Sequence, residues 1–216
     1  MNYRHIIWDW NGTLWDDAWL CVEINNNMLD RRSKPEIDLR IYQENLVFPV
    51  ADYYSKIGFN YLDDPYESLA EEFIGEYTER RFECDLQENA QALIEHLAGQ
   101  GVPQAVLSAY QHDTLLEAVE YFDLTRFFDD IIGLNDIYAA GKVENGKRYI
   151  AGLDCNPREV LFIGDTVHDF DVAEAMGVDC ILVEGGHNSA ARLEACGVPV
   201  FPSLVEVGGY INERVE

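Results

Sequence analysis

Four short stretches concentrate residue types that could do chemistry. The first is Asp9-Trp10-Asn11-Gly12-Thr13-Leu14-Trp15-Asp16, directly after the apolar run Ile6-Ile7-Trp8. A carboxylate in that place can serve as a nucleophile or as a metal ligand. Gly12 permits a tight turn and Thr13 offers a hydroxyl beside it. Asp-x-Asn-Gly is also ordinary turn chemistry, and an EF-hand reading fails for want of Gly at the sixth loop position and Glu at the twelfth. The second is Gly164-Asp165-Thr166-Val167-His168-Asp169, after Val160 to Ile163. Two carboxylates four residues apart, at a strand end and a helix start, suit Mg²⁺; the plainer alternative is that Asp169 caps the helix. The third is Ser108, after Ala105-Val106-Leu107, whose hydroxyl could hold a phosphoryl oxygen. The fourth is Lys142 in Gly141-Lys142-Val143-Glu144, a point charge suited to a phosphoryl group.

These residues need elements to bring them together. Short β-prone runs recur at Ile6-Trp8, Ala105-Leu107, Ile131-Ile132, Val160-Ile163 and Cys180-Val183. Helical periods lie between the later ones, at Asn89 to Leu97, Leu115 to Tyr121 and Asp169 to Met176. Continuous apolar strands alternating with helices predict an α/β fold with a parallel sheet covered on both faces. Ligands of such sheets bind beyond the carboxyl ends of the strands, and those ends here are Asp9, Ser108 and Asp165. From Ala18 to Glu83 the alternation stops: Ala18 to Arg32, Val50 to Ile57 and Tyr66 to Phe82 read as helices. Residues 17–84 are therefore expected to form an inserted helical domain, and residues 1–16 and 85–216 the core. Between Ala51 and Ala90 eleven acids face only Lys56, Arg80 and Arg81, which reads as a solvated acidic surface.

The 216 residues, 48% of them apolar, suffice for a sizeable core and exclude a disordered chain. Forty acids against fifteen bases give a net charge of −25, which argues against nucleic acid or an anionic membrane as partner. It does not exclude an anionic substrate if a metal or a local Lys reverses the field in one pocket. The five cysteines show no CxxC pattern and read as reduced, mostly buried thiols. No signal-peptide pattern or spanning segment is evident, so a cytoplasmic location is expected.

Asp-x-x-Gly-Thr, then Ser, then Lys, then Gly-Asp-x-x-x-Asp, in that order across residues 9 to 169, resembles the haloacid dehalogenase superfamily. The helical insertion looks like that family's C1 cap, and the nearest resemblance is to phosphoglycolate-phosphatase-like members. The resemblance implies a Rossmannoid core and an Mg²⁺-dependent phosphatase acting on a small phosphorylated metabolite. It makes Asp9 the nucleophile that forms an aspartyl-phosphate. It has Thr13 and Ser108 hold phosphoryl oxygens, and Lys142 pair with Asp9 and the phosphoryl group. It has Asp9, Asp165 and the backbone carbonyl of Asn11 bind Mg²⁺, with Asp169 supporting the metal directly or through water. Lys147 competes for the Lys role, but Lys142 fits the usual layout better.

One position departs from the family. Its phosphatases usually carry a second Asp where this chain has Asn11, and that Asp protonates the leaving group and then activates water. An amide does neither, and lost acid–base help typically costs about 10²- to 10⁴-fold. Asn11→Asp is accordingly expected to raise turnover of alkyl phosphates. Three readings follow: a phosphatase for good leaving groups such as acyl or aryl phosphates, or one using Asp16, Asp17 or a cap residue as acid; a metal-free dehalogenase, against which Asp165 argues; or a phosphate- or partner-binding module. Phe48-Pro49-Val50 and Tyr53-Tyr54 are candidates to face the site, and Arg31, Arg32 and Lys34 to meet an anionic substrate tail. His168 reads as a residue that supports the metal-binding carboxylates or as a solvent-facing helix residue, and Gly185-Gly186-His187 reads first as a turn, with bordering the site mouth as the alternative.

Overall fold

The computed structural model describes residues 2–134 and 141–215. Six parallel strands form one sheet: β1 (His5–Trp8), β2 (Gln104–Gln111), β3 (Asp130–Leu134), β4 (Val160–Gly164), β5 (Asp179–Val183) and β6 (Val200–Phe201), in the order β3-β2-β1-β4-β5-β6. The central strands are buried on both faces, which is why they read as unbroken apolar runs. Ile6, Trp8, Val106 and Ile163 contribute to one apolar cluster, whereas Ile7, Leu107 and Phe162 contribute to the cluster on the opposite face.

The chain runs outward from β1 through β2 to β3, then crosses to the other side of β1 and runs through β4 and β5 to β6. β1 therefore lies between β2 and β4, with Ile7 in register with both Ala105 and Phe162. Such a reversal leaves a crevice beyond the carboxyl ends of the strands. Asp9 and Asp165 stand just beyond that end of β1 and β4, whereas Ser108, expected at a strand end, lies within β2, which runs on to Gln111.

Between β1 and β2 come α1 (Ala18–Asp30), α2 (Leu39–Asn45), α3 (Val50–Lys56), α4 (Tyr66–Arg80) and α5 (Ala90–Gly99). The first four pack among themselves, α1 against α2 and α4, while α5 packs under the sheet with α10 (Leu204–Asn212). The chain leaves and re-enters the sheet region as a short antiparallel pair. Asp16 N donates to Asp85 O at 3.0 Å, Gln87 N donates to Leu14 O at 2.8 Å, and Trp15 bridges Leu86. Trp15 is fully buried there, against the rings of Trp10, Tyr77 and Phe122. Truncating such a residue to Ala costs about 3–5 kcal/mol. The remaining helices are α6 (His112–Tyr121), α7 (Lys142–Gly152), α8 (Val167–Met176) and α9 (Ala190–Glu194).

Several boundaries differ from the periodicity. The first long helix ends at Asp30, two residues early, and Ser33 follows in the left-handed region at φ 52°. The segment to Phe82 ends as α-helix at Arg80 and continues as a 3-10 turn over Arg81–Glu83. The helices α2 and α10 and the two-residue β6 were not legible: α2 buries only Tyr42 among its seven residues, too few to set a period. No helix among the described residues is long and apolar enough to cross a membrane.

Candidate active site

Asp9 sits one residue beyond β1, its amide donating to Ile163 O at 2.8 Å, so the sheet's own ladder fixes its position. Lys142, the first residue of α7, is 2% exposed and extends its ammonium between two carboxylates. It donates to Asp9 Oδ1 at 2.5 Å and to Asp169 Oδ1 at 2.6 Å. Lys147, the competitor, points outward on the same helix and pairs with Glu144 at 3.4 Å.

Asp169 does two things at once. Its Oδ2 accepts from the Thr166 amide at 3.0 Å and from the Thr166 hydroxyl at 2.6 Å, completing a capping box at the start of α8. The cap holds one oxygen while Lys142 holds the other, so the helix start and the cation orient the same carboxylate. Asp165 is fully buried. Thr13 Oγ1 donates to its Oδ1 at 2.7 Å, and the His187 amide donates to its Oδ2 at 2.6 Å. The Thr13 hydroxyl thus orients a carboxylate here, whereas the family resemblance puts it on phosphoryl oxygens. Gly12, at φ 76°, lies against Asp165: a Cβ there would stand 2.3 Å from Oδ2. Ser108 is buried within β2, where the ladder to β3 slips between Leu107 and Gln111. Its Oγ accepts from the Tyr110 amide at 3.1 Å and the residue faces the cavity.

One carboxylate oxygen from each of Asp9, Asp165 and Asp169 lies within 4.8 Å of the other two. Lys142 pairs with two of these three buried carboxylates, Asp9 and Asp169, and Asp165 is held by neutral donors, so the cluster is short of positive charge. Burial, with Asp169 beside it, pushes Asp9 well above the usual carboxylate range against the opposing pull of Lys142. Burial likewise raises Asp165 to about 6. Asp169 is the exception, because Lys142 outweighs its burial and holds it below its ordinary value. Lys142 in turn is held above its ordinary value by Asp169 and Asp9 despite burial. An all-oxygen, charge-deficient cluster fits a hard divalent cation such as Mg²⁺.

Asn11 is tied down by groups that the local sequence motif does not reveal. Its Nδ2 donates to Asp17 Oδ2 at 2.8 Å and to the Tyr77 hydroxyl at 2.9 Å, and Tyr77 itself donates to Asp17 Oδ2 at 2.6 Å. Asp17 Oδ1 accepts from the Gly12 amide at 2.9 Å and faces His187 Nε2 at 3.1 Å, while the Tyr42 hydroxyl meets His187 Nδ1 at 2.9 Å. Asp17 and His187 are both buried. Against the effect of burial, His187, Tyr77 and Asn11 hold Asp17 below its ordinary value. Burial lowers His187, but Asp17 more than reverses this and raises it to about 9, so the pair is ionic. Sequence singled out Gly185-Gly186-His187 only as a turn near the mouth, but His187 lies inside the site. Its partner Asp17 is 170 positions away, and nothing local signals the pairing.

The cavity above these groups has a volume of about 370 Å³. Phe48, Val50, Tyr53 and Tyr54 line it, as their sequence suggested. His168 lines it too, with the Phe48 ring 4.8 Å away and its buried Nε2 without a partner among the described residues. Arg31 and Arg32 do not reach it. They pair with Glu72, Glu76 and Asp64 on the outside of α1 and α4, and Lys34 does not line it either. Part of the acidic block is therefore matched by cations within the chain and is not simply solvated.

A family model described as haloacid dehalogenase-like hydrolase matches residues 6–183. A haloacid dehalogenase-like family hydrolase of Streptococcus pneumoniae superposes with a TM-score of 0.82 at 18% identity, over 96% of this chain and 98% of that one. A Lactobacillus delbrueckii protein bearing the provisional name phosphoglycolate phosphatase gives a TM-score of 0.78 at 16% identity, over 98% and 99%. The tyrosine-protein kinase PtkA of Mycobacterium tuberculosis is 25% identical over 197 residues, covering 90% of this chain and 67% of that protein.

Proposed function

The chain belongs to the haloacid dehalogenase-like hydrolases, and from that premise we propose that it is an Mg²⁺-dependent phosphomonoester hydrolase acting on a small phosphorylated metabolite through an aspartyl-phosphate. The observation that carries this is the Lys142 ammonium between Asp9 and Asp169 at the floor of the cavity, beside Asp165. Asp9, Asp165 and Asp169, with the Asn11 backbone carbonyl, would hold the metal. A bound dication supplies charge neutralisation for the incoming phosphoryl group and for the crowded carboxylates.

In the first step an Asp9 carboxylate oxygen attacks phosphorus and the bond from phosphorus to the leaving oxygen breaks. Lys142 keeps Asp9 oriented and offers positive charge to the phosphoryl oxygens. Ser108 faces the same space and offers a hydroxyl. In the second step water attacks phosphorus, the bond to Asp9 breaks, and inorganic phosphate leaves with Asp9 restored. Neither step receives a proton from Asn11, whose amide is engaged by Asp17 and Tyr77. Asp17 already accepts four hydrogen bonds or ionic contacts. Leaving groups that depart without full protonation are therefore favoured.

The test is phosphate release from aryl, acyl and alkyl phosphates, with and without Mg²⁺, with Asp9→Asn as control. The expected result is Mg²⁺-dependent turnover confined to the better leaving groups and absent from the control. Absence of turnover on every substrate, with Mg²⁺ binding demonstrated, overturns the proposal. It would favour a phosphate- or partner-binding role, the second reading that the tethered Asn11 amide supports.

A further inference from the structure

The walls of the cavity carry information that the catalytic floor does not. Its cap side is formed by Leu46, Val50, Tyr53, Tyr54, Phe73 and Tyr77. Several of these rings already pack edge-to-face or stacked, with Tyr42 and Tyr53 centroids 5.6 Å apart and Phe73 and Tyr77 5.8 Å apart. Such walls hold another ring by offset or edge-on packing. The only Lys or Arg among the described lining residues is Lys142, and it stands at the floor, already between two carboxylates. The arginines of the cap that an anionic tail would need are committed elsewhere: Arg31 and Arg32 as described, Arg40 to Glu44, Arg80 to Glu23, Glu76 and Glu83, and Arg81 to Glu117. His187 is matched by Asp17. Asp9, Asp17 and Asp169 also line the cavity, so a second negative charge on a substrate meets carboxylates and no Lys or Arg besides Lys142, the unpartnered His168 Nε2 being the one basic group left to it among the described lining residues.

A second observation points the same way from the chemistry. With an amide at position 11, the leaving oxygen departs with little help from a proton donor. A phenol, with a pKa of about 10 like the tyrosine side chain, is a far better anionic leaving group than an alkyl alcohol. The volume of about 370 Å³ is within the range of sites for ring-sized ligands, and generous for a two-carbon tail.

We infer, resting on the phosphatase reading above, that the substrate is an aryl phosphate monoester with an uncharged aromatic leaving group of one or two rings, and that the cavity discriminates against phosphate esters carrying a second anionic group. The leaving ring lies among Tyr53, Tyr54, Phe73 and Tyr77 while the phosphoryl group meets Lys142 and Asp9. Esters built like phosphoglycolate, with a carboxylate two carbons from the phosphate, are poor ligands.

Binding and turnover separate this inference from the reading on which it rests. With the Mg²⁺-loaded full chain, calorimetry compares 1-naphthylmethylphosphonate, methylphosphonate and phosphonoacetate. The expected order is the naphthyl compound about tenfold or more tighter than methylphosphonate, and phosphonoacetate no tighter than methylphosphonate. Ile74 lines the cavity and is 37% exposed, so Ile74→Arg can bring a cation to the rim. That variant is expected to gain affinity for phosphonoacetate, relative to methylphosphonate, by about tenfold. Phosphonoacetate binding the wild type as tightly as the naphthyl compound, or no preference for the naphthyl group, overturns the inference. Phosphate release is then measured from 1-naphthyl phosphate and from phosphoglycolate. Efficient hydrolysis of phosphoglycolate but not of the naphthyl ester overturns the inference while leaving the phosphatase reading intact. Naphthyl preference in binding without hydrolysis of either ester overturns the phosphatase reading while supporting the ligand class.

Discussion

Asn11 is better matched to its surroundings than a loss of function would require. Its amide donates to a carboxylate and to a phenol that donates to the same carboxylate. An Asp at that position would place two carboxylates where one donor and one acceptor now meet at 2.8 Å. Asn11→Asp alone is therefore expected to lower stability by about 1–3 kcal/mol, independently of the gain in alkyl phosphate turnover expected from restoring an acid. Denaturant unfolding of Asn11→Asp beside the wild type checks this; a variant as stable as the wild type would mean that the Asp17 carboxylate is not what fixes this residue. The three site carboxylates lead to a second expectation. Mg²⁺ at a hundredfold excess over its Kd should stabilise the protein by about 2.7 kcal/mol, and chelation should remove that gain. Asp165→Asn should show much less stabilisation at the same Mg²⁺ concentration. An equal rise in Tm for both proteins would count against Asp165 as a ligand.

At the scale of elements, the site exists because polar residues stand at the ends of apolar strands. Ile6-Trp8 ending in Asp9 and Val160-Gly164 ending in Asp165 were legible, since a strand buried on both faces has a continuous apolar sequence. Lys142 was legible as well, although only its order in the chain distinguished it from Lys147. The Asp17–His187 pair, the Thr13–Asp165 hydrogen bond and the outward commitment of Arg31 and Arg32 were not. Each joins residues far apart in the chain, and no local spacing encodes the contact. β1 also carries a titratable group remote from the carboxylates. His5 is 4% exposed, with the Tyr149 hydroxyl of α7 at 2.9 Å from Nε2. Burial lowers its pKa below the ordinary 6.5, against a weaker pull from Asp129. The unfolded chain then takes up a proton before the folded one does. The stabilising contribution is whole above pH 6.5 and is lost as pH falls from there through the folded value. Unfolding free energies at saturating Mg²⁺ should decline more steeply below that pH for the wild type than for His5→Gln. Parallel curves would show that His5 titrates alike in both states.

Over the whole molecule, a net charge of −25 surrounds a site that, on the function proposed above, takes both a dication and an anion. The long-range field favours the first and opposes the second. Near the floor the balance reverses only locally, through Lys142 and whatever metal charge the carboxylates gather. Salt screens the distant charges with a Debye length of about 10 Å at 0.1 M, while the 2.5 Å contact between Lys142 and Asp9 is buried and little affected. Screening should therefore act in opposite directions on the two ligands. Between about 0.02 and 0.2 M NaCl, the Kd for Mg²⁺ should rise. With Mg²⁺ kept saturating at each salt concentration, the KM for a dianionic aryl phosphate should fall severalfold. The neutral rings of the cavity wall give the leaving group no charge to screen, so the change should be similar for phenyl and naphthyl esters and track the phosphoryl charge alone. If the KM for the anion rose with salt as the metal's Kd does, attraction at the floor would have to extend past the pocket, and the acidic exterior would not govern entry.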